Sequence, residues 1–300
     1  MAASRREFLA SSAAALALPW TSPTTQEPTP PVKPPPFRIS LAEWSLHRAL
    51  QAGELEHLDF APLARSSYGI EGAEFVNRFF EGKAKAEAYL KEMKRRADDA
   101  GVACLLIMVD GEGPLASADG VERARAIENH RKWLEAATFL GCHSVRVNAY
   151  GSGSPEAMRS QAADSLVKLA ELAPALNVIV ENHGGLSSDG GWMSALMREA
   201  GHPRVGTLPD FGNFNLGEGP KYDRYKGVEE MMPFAKALSA KSYDFDEEGN
   251  ETTIDFERML AIVLGAGYRS WIGIEYEGKR LSEPDGIRRT KALLERLRGR

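Results

Sequence analysis

Cysteine and histidine are both scarce in this 300-residue chain, with two of the first and six of the second. Cys104 and Cys142 lie in the apolar runs VACLLIMV and FLGCHSV, so they read as small buried residues. Two such positions exclude a disulfide framework and the paired-cysteine spacing of a zinc finger. No basic stripe is present and the net charge is −5, which excludes the long electrostatic footprint of a nucleic-acid binder. Beyond the N-terminus no run of 18 apolar residues occurs, so no membrane span is expected in the mature chain. No candidate strand is followed by a GxGxxG or GxxxxGKS/T loop, which removes the usual phosphate cradles of nucleotide enzymes. No internal repeat of fixed period is found.

What remains suits a globular enzyme: 43% of residues are hydrophobic and 26% charged. The first twenty residues stand apart. Ser4-Arg5-Arg6-Glu7-Phe8-Leu9 precedes a mildly apolar, alanine-rich stretch, the pattern of a twin-arginine export signal. Export to the periplasm is therefore expected, and without a following cysteine no lipid attachment is. Residues 21–36, TSPTTQEPTPPVKPPP, are too rich in proline for helix or central strand and read as an extended linker. Residues 1–36 carry Arg5, Arg6 and Lys33 against Glu7 and Glu27, a net +1, which leaves −6 for the domain from Phe37 onward.

From residue 37 short apolar runs alternate with longer charged amphipathic stretches, the pattern of βα units. Eight strands are predicted: 37–44, 72–76, 102–109, 143–149, 177–182, 205–209, 237–243 and 271–276. Helices are expected over 83–100 and 119–140, each stopped by a glycine (Gly101, Gly141), and over 283–298. Eight strands with intervening helices point to an α/β fold, a single (β/α)₈ TIM barrel spanning 37–300.

Active sites of such barrels lie at the C-terminal ends of the strands. The polar residues there are Trp44 and His47 after strand one, Glu74 and Asn77, Asp110, Arg146 and Asn148, Glu181 to His183, Asp210 and Asn213, Ser239 and Lys241, and Glu275 and Glu277. Glu181, Asp210 and Glu275 follow apolar runs directly. Buried carboxylates are costly unless a cation or donor compensates them, so these three suit one hard divalent cation such as Mg²⁺ or Mn²⁺. Salt bridges with Arg146 and Lys241 are the plain structural alternative. Trp133 and Trp192, beside Trp44, are further aromatic candidates for packing or sugar stacking. Residues 221–226 read as an exposed charged loop and 244–251 as a solvated turn.

The segments VIVENHGG (178–185), TLPDFGNF (207–214), SAKSYDFD (239–246) and GIEYEG (273–278) resemble the sugar phosphate isomerase/epimerase family of xylose-isomerase-like barrels, in order along residues 37–300. The resemblance implies that Glu181, Asp210 and Glu275 hold a divalent metal (Mn, Mg, Co or Zn). It also implies that the two glutamates move a proton beside a sugar carbonyl. The family's fourth ligand, a histidine on strand seven, is replaced here by Ser239. Three outcomes are open: water or substrate fills that place, His183 turns in, or the metal is weak or absent and Lys241 supplies positive charge instead. His183, Lys241, Arg146, Asn148, Trp44, His47, Glu74, Asp110 and Ser239 are expected to contact a small carbohydrate.

An exported metal-assisted isomerase or epimerase is thus expected. The alternatives are a lyase or hydrolase that cleaves 3-keto-glycosides by elimination, and a non-catalytic carbohydrate-binding barrel. Oligomerisation stays open. A DNA-repair endonuclease of the same barrel type would need a histidine-rich three-zinc cluster, which the six histidines, mostly away from strand ends, and the acidic domain do not support.

Overall fold

The computed structural model describes residues 35–217 and 221–299. The expected signal peptide, and the linker up to residue 34, lie outside the described residues. Eight strands form: β1 (Arg38–Ala42), β2 (Gly72–Val76), β3 (Ala103–Met108), β4 (Ser144–Val147), β5 (Asn177–Glu181), β6 (Val205–Leu208), β7 (Ser239–Ser242) and β8 (Trp271–Tyr276). They pair in parallel in the order β6-β5-β4-β3-β2-β1-β8-β7. Every predicted strand is present, shortened at one or both ends in six cases. At the first of these the chain leaves the sheet after Ala42 into a tight 3₁₀ turn, Glu43–Leu46, which carries Trp44.

Between β6 and β7 the ring is joined by isolated bridges, Thr207 opposite Ala235 and Asp210 opposite Ser239. Ser239 N donates to Pro209 O at 3.0 Å, and Phe211 N donates to Ser239 O at 3.1 Å. This seam places Asp210 beside Ser239 through the backbone alone.

The helices are α1 (His47–Gln51), α2 (Phe60–Tyr68), α3 (Glu87–Ala100), α4 (Gly120–Leu140), α5 (Pro155–Leu172), α6 (Gly190–Ala200), α7 (Arg224–Met231), α8 (Phe256–Gly265) and α9 (Glu283–Arg298). Gly101 and Gly141 end α3 and α4 in left-handed conformations, φ 67° and 79°, that a β-carbon would disfavour. Helix α3 begins four residues later than its composition suggests. The expected loop at 221–226 is half helix, because Asp223 caps α7 by accepting from Tyr225 N and Lys226 N. None of the helices among the described residues is long and apolar enough to cross a membrane.

Strands covered on both faces explain the continuous apolar runs. One large apolar layer lies between strands and helices, and includes the buried Cys104 and Cys142. A second, small cluster fills the barrel interior: Ala42, Val76, Leu106, Met108, Ile179, Leu208 and Ala237. The side-chain period of two puts Glu74, Arg146, Glu181, Lys241 and Glu275 on that same inward face, so polar groups replace the apolar filling near the strand ends.

Candidate active site

Glu181, Asp210 and Glu275 converge: one carboxylate oxygen from each lies within 4.8 Å of the others, and all three side chains are buried. Two asparagines position such acids by the same device. Asn182, next to Glu181, donates to Asp210 O at 2.9 Å and accepts from Asp210 N at 2.7 Å. This ties the ends of β5 and β6. Asn77 does the same for Asp110 between β2 and β3, at 2.9 and 3.0 Å. Both backbone groups of each acid are satisfied, so its side chain is left free to face the interior.

Asp210 Oδ1 accepts from Gly212 N and Asn213 N, both at 2.8 Å. Ser239 Oγ lies 2.6 Å from Asp210 Oδ2 and 2.8 Å from Glu275 Oε2. A hydroxyl has one proton, so it donates to only one of these carboxylates. The second contact requires a proton on a carboxyl or a nearby cation. Burial, reinforced by Glu275 and Glu181, raises Asp210 to about 7. Burial likewise raises Glu181 to about 7, with Arg146 opposing. Glu275 is also desolvated, yet Lys241 and Ser239 hold it below the usual carboxylate range.

Lys241 supplies a resident cation. Its Nζ is 3.2 Å from Glu275 Oε1, 3.3 Å from Glu277 Oε2 and 3.8 Å from Asp210 Oδ2, and donates to Asn213 Oδ1 at 3.2 Å. Burial opposes its charge, but the surrounding acids keep the ammonium protonated. Arg146 is the second cation: Nε is 3.0 Å from Glu181 Oε2, and Nη1 donates to Asp110 Oδ1 at 2.7 Å. Burial would raise Asp110, but Arg146 and Asn148 hold it at about 2. The salt-bridge alternative read from the sequence is therefore realised, and by residues that also form the cluster.

The donor set fits a divalent cation. It consists of three hard oxygens, and Glu181 Oε2 has no well-aligned hydrogen bond although its atom is buried. Lys241 and Arg146 balance only part of the charge of the three acids. Ser239 stands where the resemblance implies an imidazole ligand, and its hydroxyl is engaged by the acids themselves.

The other expected residues occupy the surroundings. Glu74 is buried, accepts from Ser40 Oγ at 2.6 Å, and lies against Gly273, where an added Cβ would be 2.5 Å from Glu74 Oε2. Trp44 Nε1 donates to Glu277, at the outer side of Lys241. His47 stacks on Trp44, with Nδ1 at 2.7 Å from Trp44 O and 3.5 Å from Glu283. His183 is exposed and stands outside the set of three acids. Protein packed around the ring, with Arg146 and Lys241, lowers its pKa although the residue keeps a solvent-exposed edge. His183 and Asn148 instead line an adjoining cavity of about 370 Å³.

Trp133 and Trp192 are buried, and Trp192 Nε1 donates to Pro155 O, so both serve packing. The 244–251 turn is anchored rather than merely solvated. Buried Glu251 accepts from Tyr243 N, Asp244 N and Thr253 N, and Phe245 is in the core. Asn213, which joins Glu181 to Lys241, and Tyr243, against Gly212 and Lys241, had no assigned role from sequence. Only their place two or three residues past a strand-end acid or lysine hinted at one.

Glu74 yields a pH prediction. Burial first, then Glu275 and Glu181, raises it to about 8 against an ordinary 4.5. The folded state therefore favours its neutral form. The stability this contributes is complete below about pH 4.5 and is lost as pH rises through 8. Glu74→Gln removes that loss. Urea unfolding should show the variant as stable as the parent or less so at pH 5, and more stable at pH 8.5 by on the order of 1–3 kcal/mol.

The sequence profile of the xylose isomerase-like TIM barrel family matches residues 63–298. The chain belongs to that family. Among solved members of this architecture, a sugar phosphate isomerase/epimerase from Parabacteroides distasonis superposes with TM-score 0.66. The identity is 14%, over 91% of this chain and 98% of that one. The 3-keto-D-glucoside 4-epimerase of E. coli superposes with TM-score 0.63 at 14% identity, over 87% and 99%. At these identities the likeness establishes the fold. In sequence, this xylose isomerase-like barrel is 39% identical over 49 residues to the C-glycoside deglycosidase alpha subunit of Arthrobacter globiformis. That match covers 16% of this chain and 14% of the relative.

Proposed function

We propose that this xylose isomerase-like barrel is a metal-assisted sugar isomerase or epimerase that removes a proton from the carbon next to a carbonyl. The observation that carries this reading is the convergence of Glu181, Asp210 and Glu275 at one end of the barrel. A divalent cation held by these three carboxylates would polarise the sugar carbonyl and so acidify the neighbouring C–H. Glu181 and Glu275 come from separate strands, β5 and β8, so they would reach a bound sugar from different directions. One takes the proton and the other returns one, on the same carbon for epimerisation or on the neighbouring atoms for isomerisation. Asp210 is held by Ser239 and two backbone amides, which suits a fixed ligand rather than a proton carrier.

Incubation with aldoses, ketoses and 3-keto-glycosides in deuterated water tests this reading. Deuterium is expected at the carbon beside the carbonyl of recovered sugar or product, and the exchange should stop in EDTA. No incorporation and no product from any of them would reject the enzymatic reading in favour of a binding barrel.

The match to a deglycosidase subunit supports a second reading that starts with the same step. With a 3-keto-glycoside, removal of the proton at C2 sends its electron pair into a C1–C2 double bond. The C1 bond to the aglycone breaks, and the departing atom takes a proton from the second glutamate. The reaction is redox-neutral and needs no further reactant. An unsaturated keto-sugar together with released aglycone would identify it.

The paired arginines support work outside the cytoplasm. Changing Arg5 and Arg6 together to lysine is expected to leave the protein in the cytoplasmic fraction of the producing cell, measured by immunoblot after fractionation. Unchanged export would refute the twin-arginine assignment.

A further inference from the structure

The cavity beside the carboxylates has a different character from the centre itself. Its inner side is polar, formed by Asn148 and His183. Asn148 Nδ2 donates to Asp110 Oδ1 at 2.8 Å, and Asp110 in turn pairs with Arg146, which meets Glu181, so one polar chain links the cavity wall to the centre. Its outer side is apolar, formed by Tyr150, Met158 and Leu186. Gly184 and Gly185 complete it with bare backbone. Both have positive φ, 94° and 58°, and an added Cβ on either would meet no atom within 4 Å, so open space lies above them.

Tyr150 is 48% exposed, which is unusual for a large aromatic, yet its backbone is fixed. Ala116 N donates to Tyr150 O at 2.9 Å, and Gly151 bridges to Ala116. The loop after β4 thus presents an aromatic face on a rigid support, at little ordering cost to a ligand. The volume, about 370 Å³, falls within the usual range of ligand pockets, roughly 300–1,000 Å³.

We propose that this cavity is an aglycone subsite: it receives the flat aromatic aglycone of a glycoside whose sugar ring lies over Glu181, Asp210 and Glu275. The inference rests on the sugar-processing reading above and narrows its substrate class from free monosaccharides to aryl glycosides. A free sugar would leave Tyr150, Met158 and Leu186 in water, whereas an aryl group would cover them. Asn148 and His183 then stand at the junction of the two rings, where the glycosidic linkage and sugar hydroxyls need polar partners.

Calorimetric titration with phenyl β-glucoside, methyl β-glucoside and cellobiose tests the subsite, in the presence of Mg²⁺. Phenyl glucoside is expected to bind at least about tenfold more tightly than methyl glucoside, from the apolar area covered. Tyr150→Ala, and independently Met158→Trp, which fills the cavity from α5, should each bring the two ligands to within about twofold. Methyl glucoside should be unaffected by either. Equal binding of phenyl and methyl glucosides, or no binding of any of the three, would overturn the proposal. A phenyl preference that survives both variants would place the aglycone elsewhere and overturn it too. Tightest binding of cellobiose would overturn the aromatic assignment. Failure of the catalytic reading would instead appear as absent deuterium exchange with the phenyl preference intact.

Discussion

Glu181→Gln is expected to abolish deuterium exchange at the substrate carbon while leaving the barrel folded. Glutamine keeps the size of the side chain and its one oxygen can still accept from Arg146, though its NH2 then faces the Asn213 amide, and it cannot accept the proton. The loss should be at least about 10²–10⁴-fold, the usual contribution of a positioned general base. It should be larger if a bound cation is lost with the carboxylate. Glu275→Gln should match it for net turnover. The two variants are separable by their partial reactions: if each glutamate serves one face, one variant should retain wash-out of the substrate proton without completing the conversion. Mass spectrometry of substrate recovered from deuterated water measures this. Exchange at parental rates in both variants would show that the glutamates only hold the site together.

Lys241→Met is expected to have the second large effect, on stability and metal affinity together. The ammonium is buried and ion-paired with Glu275, Glu277 and Asp210. Removing one partner of a buried charge cluster costs about 3–5 kcal/mol, because the remaining charges stay out of water uncompensated. In EDTA the variant should therefore unfold at clearly lower denaturant concentration. Added Mn²⁺ or Mg²⁺ should restore much of the loss, since a divalent cation no longer competes with the lysine for the same oxygens. Its affinity, read by titration calorimetry, should rise by roughly tenfold or more. Unchanged stability in EDTA together with unchanged metal affinity would show that Lys241 is not the counter-charge of the cluster. Ser239 and Lys241 act together on the acids: the hydroxyl bridges Asp210 and Glu275, and the ammonium offsets part of their charge.

How much of this was legible beforehand differs by element. The eight strands were readable because a sheet buried on both faces demands unbroken apolar runs, as in NVIVE of β5 and WIGIEY of β8. Helix ends were readable at Gly101 and Gly141, where the backbone turns left-handed. The start of α3 was not readable: alanine and lysine favour helix at 83–86, but those residues form a separate turn, closed by Ala86 N donating to Lys83 O, and the helix begins at Glu87. The acids Glu181, Asp210 and Glu275 stood out because each ends an apolar run. Other candidates of the same appearance separated only in three dimensions: Glu74 lies against Ser40 and Gly273, while His47 turns toward Glu283.

Local sequence alone determined the alternation of strands and helices, and with it the barrel and the end at which the carboxylates gather. These follow from burial and backbone geometry acting over a few residues. The tertiary structure alone decided which charges meet. Arg146 and Glu181 lie on different strands, as do Lys241 and Glu275, and Asp210 meets Ser239 only because β6 and β7 close the ring. The sharing of one hydroxyl by two acids, and the open cavity beside them, depend on such distances across the barrel. Side-chain chemistry names the groups that can carry protons or hold a cation. Their state depends on burial and on neighbours within a few ångströms, and only the closed fold supplies those.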